Sequence, residues 1–188
     1  MYGVRTARYL RHFLAVALIC ATWARAQERT LSEYQVKALF IFNLVQFVEW
    51  PASAFPAPDT PFYIGVLGDN PFGDDLLTAI KGEKVGGRPL VLVQGRSLEA
   101  VKHCQLLFVS RSERARVDTI LAEYARKPVL TLGDVPNFAA RGGVLNFYLD
   151  GAKVRFELNR AAAQQAGLKL SAQLIRLAKP VGSPGGGP

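Results

Sequence analysis

Residues 61–82 read PFYIGVLGDNPFGDDLLTAIKG, from Pro61 to Gly82. An apolar run rich in β-forming residues comes first. A turn of Gly, Asp, Asn and Pro follows. Apolar residues at helical spacing close the stretch, opened by Asp74 and Asp75. Acidic residues in a first helical turn favour the helix dipole, so this carboxylate pair reads as structural. The whole is a strand–turn–helix unit.

Working outward, the same alternation repeats. RPLVLVQG (88–95), CQLLFVS (104–110) and PVLTLGD (128–134) read as strands. SLEAVKH (97–103) reads as a helical turn and VPNFAARGG (135–143) as a short helix or turn. SERARVDTILAEYARK (112–127) reads as an amphipathic helix with Val117, Ile120, Leu121 and Tyr124 as its apolar stripe. Strands apolar on both faces, alternating with helices, predict a mainly parallel sheet covered on both sides. The pattern then changes. GVLNFYLDGAKVRFELN (143–159) is two strand-like runs joined by Asp150-Gly151, a strong hairpin signal. NRAAAQQAGLKLSAQLIRLAK (159–179) reads as one or two helices punctuated by Gly167. The expectation is a single-domain α/β sandwich, with a mainly parallel central sheet flanked by helices and a C-terminal β-hairpin.

Upstream, KALFIFNLVQFVEWP (37–51) belongs to a helix expected over Leu31–Glu49. Thr30 or Ser32 can cap its start, and Pro51 should stop it at Trp50. Gln35, Asn43, Gln46 and Glu49 share one broad face and apolar residues fill the rest, so the helix is buried in a core or at an interface.

The N-terminus reads as a secretory signal. Arg5, Arg8 and Arg11 precede an apolar run from Phe13 to Cys20, and Ala24-Arg25-Ala26 ends it as a cleavage triplet. Ile19 is too large to precede a lipidated Cys20. Residues 1–26 are therefore expected to leave, residues 27–180 to form the domain, and VGSPGGGP (181–188) to be tail. The full chain is +8, but its leader holds four of the 23 basic residues and no acid, leaving 19 against 15 acidic, or +4. Arg111, Arg114 and Arg116 cluster beside Glu113 and Asp118, which reads as a solvated helix face. The charge thus argues against nucleic-acid binding.

No catalytic constellation emerges. His103, the only histidine beyond the leader, adjoins Cys104, the only cysteine there. Adjacent strand residues point to opposite faces, so they make no Cys–His pair. In an oxidising compartment a lone Cys104 is either buried and inert, the favoured reading, or paired between chains. One histidine makes no His-based metal site, and no cofactor is implied. The loop at Gly68, Asp69 and Asn70 sits where α/β sheets bind ligands but lacks a nucleotide spacing, and a capped turn is the favoured reading. Gly87 to Pro89 and Gly133 to Phe138 are turn-like on the same grounds. In FELN (156–159), Phe156 and Leu158 share a face opposite Glu157, and Asn159 can cap the next helix.

The Trp-Pro helix end, LGDNPFG, the Gly-Gly before a strand, FELN and QLIRLA, in this order, resemble the YfiR-like family of exported bacterial proteins. The resemblance covers about Ser32 to Lys179. It implies a periplasmic, dimeric, non-enzymatic repressor. Such a protein binds the periplasmic sensor domain of a membrane diguanylate cyclase, and an outer-membrane lipoprotein can sequester it. It implies partner-binding roles for Leu145 and Glu157, to which the local pattern adds Phe147 and Asn159. Phe47 and Trp50 are candidate dimer contacts. Cys104 matches a position disulfide-bonded in certain relatives, but Gly65 stands where its partner would be, and Ala140 and Asn146 occupy a second cysteine region. The alternative reading is a small-ligand-binding protein using Gly68 to Asn70 and Gly133-Asp134; a hydrolase is poorly supported.

Overall fold

The computed structural model describes residues 31–181. The leader expected over residues 1–26, and the tail beyond Val181, lie outside the described residues. Helix α1 (Glu33–Leu44) opens the fold. Ser32 accepts the N–H of Gln35, and the Gln35 side chain accepts the N–H of Ser32 at 2.9 Å, a reciprocal capping box.

The far end of this helix corrects the expectation. It stops at Leu44, five residues short of Glu49, and Pro51 does not end it. Gln46 and Phe47 donate to carbonyls three residues back, and Val48–Glu49 form a short strand, β1. The physical reason is tertiary. Val48 is buried, and the Trp50 indole N–H donates to the Gln105 carbonyl at 3.0 Å. These long-range contacts outweigh the local helix propensity.

The alternating region follows as read, with one short strand added at Lys84–Val85. It comprises β2 (Phe62–Leu67), α2 (Asp75–Ile80), β3 (Lys84–Val85), β4 (Arg88–Gly95), β5 (Leu106–Val109), α3 (Val117–Tyr124) and β6 (Leu130–Gly133). A 3₁₀ segment over Arg111–Arg116 leads into α3, so the expected single helix begins with a tighter turn. All four stripe residues of α3 are buried. The hairpin is β7 (Leu145–Asp150) and β8 (Lys153–Leu158), with Asp150 opposite Lys153. The C-terminal block gives α4 (Arg160–Gln165), β9 (Lys169–Leu170), α5 (Ala172–Leu177) and β10 (Lys179–Pro180).

Eight strands form one sheet in the order β10-β8-β7-β6-β5-β2-β4-β3, and β1 pairs with β9 separately. From β4 to β7 every pairing is parallel. Within that run the chain starts at β2, steps outward to β4, then returns past β2 to β5. The order therefore reverses between β2 and β5, which makes that gap the topological switch point. Side chains of alternate parity fill two cores. Phe62, Ile64, Val66, Phe108 and Leu132 meet α1 and α2 on one face. Leu67, Leu107 and Val109 meet α3 on the other.

Candidate functional site

Three places carry the polar groups that the fold organises. The first is the hairpin. Phe147 lies opposite Phe156, and both rings are 6.0 Å from that of Phe40 on α1. Leu145, Phe147 and Asn159 are all buried. Asn159 caps α4, its side chain accepting the Ala162 N–H at 3.0 Å and donating to the Ala139 carbonyl at 2.8 Å. Three of the four expected partner residues thus shape the hairpin from inside. Glu157 alone reaches the surface. Its carboxylate accepts from Asn146 at 3.2 Å and pairs with Lys179 at 3.4 Å. Lys179 also lies 5.4 Å from the ring centre of Tyr148. Leu149, near the hairpin tip, is about half exposed, and Leu177, which leads into β10, more so.

The second place is the carboxyl end of the sheet, where α/β folds usually bind ligands. Here the chain fills its own crevice. Gly68 has φ +93°, and a Cβ there would sit 2.3 Å from Ser112 Oγ. Asp69 N–H donates to that same Oγ, Gly68 N–H to the Gly95 carbonyl, and Phe72 N–H to the Asn70 side chain. Asp69 pairs with Arg96 on the surface. The loop is a turn built around Asn70, and the N–H groups of Gly68, Asp69 and Phe72 are bonded within the chain.

Beside it, Asp134 follows β6 and is fully enclosed. Its Oδ2 accepts from Lys37 Nζ at 2.7 Å and Tyr34 Oη at 2.8 Å, while Arg111 Nε donates to the Asp134 backbone carbonyl and lies 3.2 Å from Oδ2 as an ion pair. Lys37 is 1% exposed, bonds also to Glu33 at 2.5 Å, and lies 4.4 Å from the centre of the Tyr34 ring. Asp134 Oδ1 has no hydrogen-bond partner in the described residues. Burial first, then the bond to Asp134, pushes the Tyr34 hydroxyl well above the usual phenol range. Sequence reading missed this network because Lys37 lies inside an apolar run. Arg111 and Arg116, expected on a solvated face, remain partly exposed yet are both ion-paired, Arg116 with Glu113.

The third place is the amino end of the sheet. Trp50 stacks edge-on against Phe62 at 4.8 Å, so it and the half-buried Phe47 contribute to the core. Cys104 is buried, with its Sγ 3.1 Å from where a Cβ on Gly65 would stand. Strands β2 and β5 thus bring together the two positions that the resemblance pairs, with one sulfur absent. Desolvation pushes the Cys104 thiol up to about 12. A thiol with a raised folded pKa contributes stability that is intact below its unfolded value, near 9.0, and lost as pH rises toward the folded one. Urea-unfolding stability should therefore fall between about pH 9 and 12. Cys104→Ala should flatten that fall, and an unchanged slope would refute a contribution from the thiol.

A wound α/β sheet with an appended hairpin defines the class of the molecule. The particular family follows from residues 34–179, which match the family model described as DUF4154: YfiR/HmsC-like. The chain belongs to that family. The membership is consistent with a regulatory role. No curated protein is significantly similar. Among solved structures, a conserved domain protein from Vibrio cholerae O1 biovar El Tor is similar, with a TM-score of 0.53 at 13% identity. The match covers 80% of this chain and 60% of that one, and it shows the shared fold. No helix among the described residues is long and apolar enough to cross a membrane.

Proposed function

We propose that this protein is a periplasmic, non-enzymatic regulator that binds the sensor domain of an inner-membrane diguanylate cyclase and holds it inactive. Cytoplasmic cyclic di-GMP, and with it exopolysaccharide and biofilm, then falls. The family match over nearly the whole fold is the observation that carries this reading. The leader expected over residues 1–26 supports a periplasmic location, and an outer-membrane lipoprotein is the proposed sequestering partner. A partner that prefers one cyclase conformation shifts its equilibrium by differential binding alone, so no catalytic residue is required.

The hairpin is the proposed partner surface. Glu157 supplies an accessible carboxylate, while Leu145, Phe147 and Asn159 hold the strands behind it. The proposed homodimer uses the segment carrying Phe47 and Trp50. Deleting the gene should raise cyclic di-GMP, and no rise under any growth condition would sink the repressor reading. Glu157→Lys should leave the fold intact, because a partly exposed ion pair contributes only about 0–1 kcal/mol. It should weaken binding to the cyclase sensor domain by about tenfold or more, equivalent to about 1.4 kcal/mol. Unchanged affinity in titration calorimetry would leave Glu157 as an edge residue only.

A further inference from the structure

A cavity of about 610 Å³ opens among the amino ends of β2, β5 and β6, at the opposite end of the sheet from the crevice that Gly68 and Ser112 fill. That volume is within the range of small-molecule sites. Its apolar walls include Tyr63, Val93 and Val129. Lys102, His103 and Lys127 also line it, and no carboxylate lines it among the described residues. Lys102 and Lys127 pair with Glu99 and Glu123 along the chain. Both pairs are substantially exposed, and such local surface pairs contribute little. A ligand carboxylate or sulfonate entering the cavity can therefore compete for the two ammonium groups at small cost.

The cavity is also held open in advance. The Gln105 side chain accepts the Tyr63 N–H at 2.8 Å and donates to the carbonyls of Ala54 at 2.8 Å and His103 at 3.2 Å. One amide thus fixes three walls, and the Gln105 carbonyl is in turn held by Trp50. Such a site needs little reorganisation to bind.

We infer that this cavity is a binding site for a small amphipathic anion, an aromatic or aliphatic body with one carboxylate or sulfonate head. The body lies against Tyr63, Val93 and Val129, and the head lies between Lys102 and Lys127. This inference does not rest on the regulatory reading. Cyclase binding through the hairpin and loading of the cavity succeed or fail separately.

Anilinonaphthalene sulfonate is a suitable probe, and phenylnaphthylamine carries a similar aromatic body without the anion. The folded protein should bind the sulfonate saturably, one per chain. The pair Lys102→Glu and Lys127→Glu should weaken it by about tenfold or more, with phenylnaphthylamine affinity changed less than about twofold. Ala100 is exposed and lines the cavity, so Ala100→Trp fills the space without entering the core and should block both probes. Circular dichroism establishes that each variant is folded. Three results would each overturn the site: no saturable binding to the wild type, sulfonate affinity indifferent to charge reversal, or undiminished binding to folded Ala100→Trp.

Discussion

Lys37→Met should destabilise the protein by about 3–5 kcal/mol, more than any surface substitution. The lysine is 1% exposed, and its ammonium joins Asp134 and Glu33 while facing the Tyr34 ring. Methionine keeps the length and apolar stem but withdraws the charge. Asp134 then retains Tyr34 and Arg111, and its Oδ1 already has no partner among the described residues. A buried carboxylate stripped of its main counter-ion is the costly outcome, because desolvation is no longer offset by attraction. In urea the unfolding midpoint should fall by about 1.5–2.5 M, taking a slope near 2 kcal/mol per molar. The double variant Lys37→Met, Asp134→Leu should recover most of the loss, since replacing both ions by apolar groups is often neutral. A single-variant loss below about 1 kcal/mol would reduce the pair to an ordinary contact. The effect reaches the proposed partner surface as well. Phe40, on the same helix, backs Phe147 and Phe156 of the hairpin.

The sheet was legible because its strands are apolar on both faces and separated by turn residues, as at Phe62–Leu67, Leu106–Val109 and Leu130–Gly133. The hairpin was legible from Asp150-Gly151 between two strand-like runs. The end of α1 was not, because Val48 and Trp50 are placed by β9 and Gln105, which lie far along the chain. Burial within the hairpin was hidden for another reason. Strand alternation says which residues share a face but not which face the helices cover, and Leu145 and Phe147 fall on the covered one. The Lys37–Asp134 network and the cavity at Gln105 are products of topology. Their members are 97 residues apart in the first case and come from four separate segments in the second. An isolated lysine in an apolar run carries no periodic signal.

Phe138→Ala should cost about 3–5 kcal/mol, the range for emptying a buried aromatic site. Phe138 is fully enclosed. Its ring occupies space that two glycines leave free. A Cβ on Gly133 would lie 2.8 Å from the ring, and a Cβ on Gly143 would lie 2.2 Å from it and 2.9 Å from the Phe138 carbonyl oxygen. The Gly-Gly before β7 thus has a packing reason: at Gly143 the backbone must pass close to an aromatic wedge. The 135–143 loop so formed receives the Asn159 side chain at Ala139, and Gly143 N–H closes onto the Phe138 carbonyl. Removing the ring therefore loosens both the β6–β7 crossing and the root of the hairpin. Gly143→Ala attacks the same contact from the other side. Its cost should be about 1–3 kcal/mol, because neither the enclosed ring nor the carbonyl can withdraw freely. The two changes share one contact, so they should not add. Gly143→Ala combined with Phe138→Leu should be less destabilised than the sum of the single losses, by about 1 kcal/mol in urea unfolding. Strict additivity would show that Phe138 and Gly143 act through separate neighbours. If the hairpin is the partner surface, Phe138→Ala should also weaken cyclase binding at temperatures where the variant is still folded, although Phe138 is itself buried.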